Sequence, residues 1–310
     1  MISELLTPVV ILGIIASGIR LATPYLFAGI GETFGQLSGV LNLGVEGIML
    51  LAAFAAFYVT IQTGSLFLGL LVAMLVGGLL GLMMAFISVT LKAEQGISGI
   101  GLYVFGLGMS DLLFNSTLKT IQTINGIPPL YIPGLSDLPV LGSTLFSQNI
   151  LTYLAFALVP LAWFIINKTT LGMQIVAVGQ NPAAADALGI NVARIRYLTV
   201  ITGGVFSGLA GASLSIALLN VFQQNLTSGI GFIAVALVYF GAWRPVGVML
   251  GSLLFSMVNS LQLWVQTLGI EIPSDVAVMM PYVLTILALA VHQTRPQQAG
   301  GLTKHFTRGG

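Results

Sequence analysis

Long apolar runs, separated by short polar or Gly- and Pro-containing stretches, dominate the chain from Pro8 to Val291. A membrane-crossing helix needs about 20 mostly apolar residues, because a rise of about 1.5 Å per residue must cover about 30 Å of hydrocarbon. Nine runs approach that length: Pro8–Ile30, Val40–Ile61, Leu66–Leu91, Ile97–Phe114, Ile150–Ile166, Tyr197–Leu219, Leu226–Trp243, Val246–Leu268 and Val276–Val291. The pattern predicts an all-α, polytopic membrane helical bundle of about nine transmembrane spans. The first span is expected to break near Pro24, and the seventh is short. Glycines and polar groups interrupt the apolar pattern near residues 31–47, which predicts a broken helix there.

Charge decides between a lipid-facing and an aqueous surface. Charged residues make up 6% of the chain and hydrophobic residues 56%, whereas a soluble domain is roughly 25% charged. The 38 glycines suit helices that pack closely in lipid. A net charge of +1 supplies no basic field for nucleic acid. With no cysteine and only His292 and His305, no metal site, cofactor or catalytic residue is expected. No Gly-x-x-x-x-Gly-Lys-Ser/Thr run is present, so the chain does not hold ATP in a P-loop. Met1–Thr7 lacks Lys and Arg, so the first apolar run reads as a permanent span and not a cleaved signal.

Basic residues orient the bundle. With an outside N-terminus and nine crossings, Lys92, Lys168, Arg194, Arg196, Arg244, Arg295, Lys304 and Arg308 fall inside, Lys119 falls outside, and Arg20 lies within a span. The positive-inside bias therefore predicts N-out and C-in. Residues 1–310 are expected to form a single transmembrane domain. Loop 115–148, with four prolines, is expected to be an ordered extracytoplasmic cap. Loop 167–196 is cytoplasmic, and the polar, Gly-rich tail 295–310 is expected to be a disordered cytoplasmic segment.

Within the cytoplasmic loop, Asn181-Pro182 reads as a helix start, an Asn cap followed by Pro at the first helical position. Ala183, Ala184, Ala185, Ala187 and Leu188 favour helix, and Gly189 stops it. On physical grounds alone, this short helix could be a connector or a docking element. Gly179, Asn181, Ala184, Ala185, Gly189 and Ile190 fit a Gly-x-Asn-x-x-Ala-Ala-x-x-x-Gly-Ile pattern. This segment resembles the coupling loop of ATP-binding-cassette importer permeases of the ribose, nucleoside and branched-chain amino acid group. The resemblance extends from about residue 8 to residue 292. It assigns coupling to an ATPase to Gly179, Asn181, Pro182, Ala184, Ala185, Gly189 and Ile190.

A second signature, Asn42-Leu43-Gly44-Val45-Glu46-Gly47, is similar to the Asn-Leu-Gly-x-Glu-Gly element of the same group, in the form typical of its nucleoside branch. Sugar permeases usually carry an Asp-Leu-Ser type of sequence there. The group often has ten spans, and this chain resembles the shorter partner subunit that lacks the first. The resemblance implies a nucleoside importer in a bacterial or archaeal plasma membrane. Its partners would be a cytoplasmic ATPase, a second and different permease chain, and an extracytoplasmic substrate-binding protein. Sugars or branched-chain amino acids are the alternative cargoes. An ion-coupled secondary transporter using Glu32 or Glu46 is the alternative class.

Glu32, Gln36, Asn42, Glu46, Asn259 and Gln262 are the candidate translocation-path residues. Ionisable groups in a span face the bundle interior or pair with one another, so an ion pair of Arg20 with Glu32 or Glu46 competes with a pathway role. Asn259, Gln262 and Gln266 share one helical face, which suits a cavity lining or helix–helix contact. Gly77/Gly81 and Gly204/Gly208 have the small-xxx-small spacing of close helix packing.

Overall fold

A computed structural model describes residues 7–134, 136, 141–268, 279, 283 and 298–307. The described chain is helical apart from turns, irregular loops and two isolated bridges, Thr123 with Val221 and Pro129 with Asn149. The elements are α1 (Pro8–Leu37), α2 (Val45–Thr63), α3 (Leu66–Ala85, continued by a π-turn over Phe86–Thr90), α4 (Gln95–Thr117), α5 (Leu141–Leu145), α6 (Ile150–Lys168), α7 (Thr170–Gln180), α8 (Pro182–Ala187), α9 (Val192–Ser213, continued by a π-turn over Leu214–Leu218), α10 (Ile230–Phe240) and α11 (Pro245–Thr267).

Seven of these helices are long and apolar enough to cross a membrane. The first differs from the pattern-based expectation. Instead of breaking at Pro24, α1 runs for 30 residues with Pro24 inside it. It packs against α9, α11, α10 and α6, and such surroundings re-satisfy the backbone group that a proline frees. The interruption expected near residues 31–47 is confined to residues 38–44, between α1 and α2.

Contacts along α1 set the direction of its neighbours. Gly29 packs on Val248 and Gly13 on Trp264, so α11 is antiparallel to α1. Gly31 packs on Gly203 while Ser38 bonds Thr199, so α9 is antiparallel as well. Gly29 approaches Ala234 and Gln36 bonds Trp243, so α10 runs parallel to α1. We term the end carrying Leu37, Gly179 and Arg196 basal and the opposite end distal. Residues 219–243 thus lead from the distal end of α9 to the basal start of α11, with only Ile230–Phe240 helical. The expected short span Leu226–Trp243 is therefore helical over Ile230–Phe240 alone. The expected span Val276–Val291 lies outside the described residues.

The basic residues divide by end. Lys92, Lys168, Arg194, Arg196, Arg244 and Lys304 are basal, whereas Arg20 and Lys119 lie toward the distal end. The tail departs from its expected disorder: residues 298–307 are folded onto the basal end, with Ala299 and Leu302 buried. Ala299 and Leu302 give this polar segment something to bury, and the two glycines between them give it room to approach.

The two small-residue motifs meet each other. A Cβ on Gly77 would lie 2.3 Å from the Gly204 carbonyl oxygen and 2.9 Å from the Gly208 Cα, and one on Gly204 would lie 2.7 Å from the Gly81 Cα. The α3–α9 contact is therefore backbone on backbone, and no flexible side chain is there to yield. Gly77→Val is expected to destabilise the chain by about 1–3 kcal/mol through overpacking, read as a lowered thermal midpoint in detergent. Gly101→Val, where nothing stands within 4 Å, serves as the neutral control.

Candidate functional site

Two crossings are interrupted, at 38–44 and at 219–229, and the candidate site is where they meet. The 38–44 segment leaves α1 at the basal end and turns back along it. Six of its seven backbone donors, those of residues 38–42 and of Gly44, have partners. Gly39 N–H donates to the Gln36 carbonyl at 3.0 Å and Val40 N–H to the Gly35 carbonyl at 3.0 Å. Leu41 N–H donates to Gln95 Oε1 at 2.8 Å, Asn42 N–H to Glu32 Oε1 at 2.9 Å, and Gly44 N–H to Asn42 Oδ1 at 2.9 Å. Gly39 sits at φ +94°, a conformation that favours glycine, and begins the reversal.

Glu32 anchors a wider network. Gln36 Nε2 donates to Glu32 Oε1 at 3.1 Å, and Gln36 Oε1 accepts from Trp243 Nε1 at 2.8 Å. One buried chain of bonds thereby joins α1, the 38–44 segment and the residues just past α10. Below it opens a basal cleft of about 550 Å³, lined by Leu37, Trp163, Asn167, Gln180, Trp243 and Arg244.

Glu46 does the same for the second interruption. Its Oε1 accepts from Thr227 Oγ1 at 2.6 Å and from Gly229 N–H at 2.7 Å, and its Oε2 accepts from Gly231 N–H at 2.5 Å. Glu46, 1% exposed, therefore occupies the positive N-terminus of α10, where unpaired N–H groups and the helix dipole favour an anion. Measured by helix rise along α1, this point is about 18 Å from the basal end. The competing alternative, an ion pair of Arg20 with Glu32 or Glu46, does not form: Arg20 is exposed and its Nε donates to Gln148 Oε1 at 3.2 Å.

The structure brings Glu32, Gln36 and Asn42 into one network and sets Glu46 beside it. Asn259 and Gln262 are elsewhere. They lie on α11 near Ser260, whose hydroxyl donates to the Ile14 carbonyl, close to the distal end.

The basal loop is more ordered than its sequence suggested. Thr169 caps α7, a helix that pattern reading missed, by accepting from Gly172 N–H. Asn181 ends α7 and starts α8, its Oδ1 accepting from Ala184 N–H at 3.0 Å. Gly189, at φ +84°, ends α8, and Ile190 N–H returns to the Ala185 carbonyl. Gly179 presses on the Leu37 carbonyl, with no room for a side chain. The two central alanines diverge: Ala184 is exposed, while Ala185 is buried against its own chain. Leu188, absent from the sequence-derived set, is 82% exposed at the tip of α8. An apolar side chain four residues after Ala184, on the same face of so short a helix, was the signal that could have found it.

Comparison with known proteins gives the setting. Residues 14–289 match the family model described as branched-chain amino acid transport system / permease component. A Haloferax volcanii protein whose name proposes it as a glucose ABC transporter permease is 38% identical over 92% of this chain and 88% of its own length. The guanosine ABC transporter permease protein NupQ of Bacillus subtilis is 37% identical over 86% of this chain and 88% of its own. The nucleoside ABC transporter permease protein NupC of Lactococcus lactis is 37% identical over 90% of this chain and 91% of its own. No solved structure matches.

If Glu46 is the brace that joins the broken crossings, Glu46→Gln should weaken it, since an amide turns one N–H toward backbone N–H donors. Loss of a charge-assisted bond is expected to cost about 1.5–3 kcal/mol, seen as a lower thermal midpoint together with reduced transport. Gly231→Ala should act in the same direction, because its Cβ would lie 2.6 Å from the Glu46 Cα. Unchanged midpoints in both variants would remove the brace.

Proposed function

The chain belongs to the family of branched-chain amino acid transport system permease components, and from that premise we propose that it is the membrane subunit of an ATP-binding-cassette importer whose cargo is a nucleoside. The observation that carries the cargo is the pair of relatives named for guanosine and nucleoside transport, each matched over most of its length. The Asn42–Gly47 element, whose Glu46 reaches the α10 N-terminus, is in keeping with them. The glucose named for the Haloferax relative makes a sugar the second reading.

In this proposal a substrate-binding protein delivers cargo at the distal end, and a separate ATPase docks at the basal end. The gathering of six basic residues at the basal end against two toward the distal one supports a cytoplasmic basal end. That orientation puts the N-terminus outside and residues 298–307 inside. A second, different permease chain completes the path. ATP-driven closure of the ATPase moves α8, and α7 passes the movement to the end of α1 through the contact of Gly179 with Leu37. The path-lining roles of Glu32, Gln36, Asn42, Glu46, Asn259 and Gln262 form part of the same proposal. The first four do so by fixing the geometry of the broken crossings.

The test is ATP-dependent uptake by the complex in proteoliposomes, with labelled guanosine, glucose and leucine offered in parallel. Uptake of guanosine alone is expected; uptake of glucose or leucine in its place would overturn the cargo. Within that assay Ala184→Trp and Leu188→Asp should lose the ATPase on co-purification, because both side chains face outward from α8. Ala185→Trp should instead lower the chain's own thermal midpoint, the result of overfilling a buried site. Retention of the ATPase by both outward variants would make α8 a plain connector. Separately, cysteines placed at Gly64 and Gln180 in this cysteine-free chain should label only from outside and only from inside, respectively.

A further inference from the structure

Besides the contact of Gly179 with Leu37, residues that belong to neither element hold α7–α8 against the first broken crossing. They come from the C-terminal segment. Gly301 N–H donates to the Gly179 carbonyl at 2.8 Å, at the end of α7, and Thr303 N–H donates to the Gly39 carbonyl at 3.2 Å, in the 38–44 reversal. Gly300 N–H reaches Gln180 Oε1 at 3.3 Å. Ala299 and Leu302 are buried in the same core as Leu37, Val178 and Ala185. A third anchor comes from α9: Arg196, 2% exposed, donates from Nε to the Ser38 carbonyl at 3.2 Å and from Nη1 to the Lys304 carbonyl at 3.0 Å. Arg196 Nη2 also packs over Gly39, where a Cβ would stand 2.8 Å from it.

Residues 299–304 therefore touch three elements at one point: the end of α7, the reversal at 38–44 and the start of α9. The contacts are mostly to main-chain carbonyls, which fix position without depending on side-chain identity. Thr303 adopts φ +64°, uncommon for a β-branched residue, so the segment is held in a shape it would not take alone.

We infer that residues 299–304, with Arg196, form a strap that transmits displacement of α7–α8 to the 38–44 segment, and so make Arg196, Leu302 and the tail backbone positioning elements of the transport cycle. The inference rests on the permease reading. Through Gly39 the strap reaches Asn42 and Glu32 within a few residues, so a pull on α7 arrives at the network beneath α10. Through Arg196 it reaches the base of α9, which leads to the second interruption. Without the strap α8 can still dock and the ATPase can still turn over, but hydrolysis and translocation come apart.

The test uses the complete complex in proteoliposomes, comparing wild type, a chain ending at residue 297, Leu302→Asp, Leu302→Met, Arg196→Lys, Thr303→Gly and Ala184→Trp. Measured quantities are ATPase co-purification, basal hydrolysis, and cargo taken up per ATP hydrolysed. Truncation and Leu302→Asp should keep the ATPase and its basal hydrolysis while uptake per ATP falls roughly tenfold, within the usual span of coupling between sites. Leu302→Met should restore coupling. Arg196→Lys, which cannot bridge two carbonyls with one planar group, should be intermediate. Thr303→Gly should behave as wild type, since only its N–H reaches outside the segment. Unchanged uptake per ATP in both the truncated chain and Leu302→Asp overturns the strap. Should the truncated chain fail to accumulate, amide exchange in the wild-type complex decides: Gly301 and Thr303 must be protected at rest and change protection during turnover, and unprotected or unchanging amides reject the inference. A wild-type complex that takes up nothing counts against the permease reading and not against the strap, whereas an Ala184→Trp chain that keeps its ATPase counts against docking on α8 and so against the strap as well.

Discussion

A backbone N–H or C=O that leaves helical geometry inside an apolar bundle has no water to turn to, and leaving it unpaired costs several kcal/mol. That constraint organises this chain. Non-helical segments interrupt two crossings, and several polar side chains buried near them are spent on their main-chain groups. Glu32, Gln95 and Asn42 each accept from an N–H of the 38–44 segment, and Arg196 donates to its Ser38 carbonyl. Glu46 does the corresponding service for residues 227–231. The buried carboxylates are therefore structural acceptors, and through that role they set the shape of the region between the interruptions.

The two interruptions are also coupled to each other. Glu46 stands in the first turn of the helix that follows one break and caps the helix that follows the other. Gln36 links Glu32 to Trp243 at the far end of that second helix. Displacing α10 along its axis would break bonds at both of its ends, so it is held as a short rigid piece between two irregular joints. Secondary transporters move substrate by rearranging such pieces around a fixed centre, and here the joints are defined by named donors and acceptors.

Much of this was legible in the sequence wherever the chemistry is local. Asn181-Pro182 and Gly189 bound a helix by rules that operate within a turn or two, and the structure has α8 between them. The small-residue spacings at Gly77/Gly81 and Gly204/Gly208 announced close packing, though not that each was the other's partner. The break near residues 31–47 was visible as glycine and polar residues in an apolar run. What stayed hidden is long-range. Glu46 and Gly231 are 185 positions apart, and no periodicity tells a carboxylate which helix end it will cap. An ion pair with Arg20 was a reasonable expectation on charge alone, but Arg20 meets Gln148 in the distal loop instead. The tail misled in the opposite sense: glycine and polar content read as disorder, whereas Ala299 and Leu302 pack and the glycines between them permit the approach. Length rules likewise favoured one span for Leu226–Trp243, because they do not register that part of a crossing can be a run of turns held by a distant glutamate.

The glycine seam between α3 and α9 carries a mechanical meaning of its own. Where two helices meet through side chains, one can slide by repacking rotamers. Where carbonyls rest directly on glycine Cα atoms, a slip of one residue drives a Cβ into a carbonyl, and the pair behaves as a single beam. With its π-turn, α9 extends for about 40 Å from Val192 to Leu218. It carries Arg196 near its base, and its tip leads into the irregular half of the second broken crossing. A small tilt imposed at the base is thus delivered, undamped, at the opposite face of the bundle, with α3 stiffening the lever along the way.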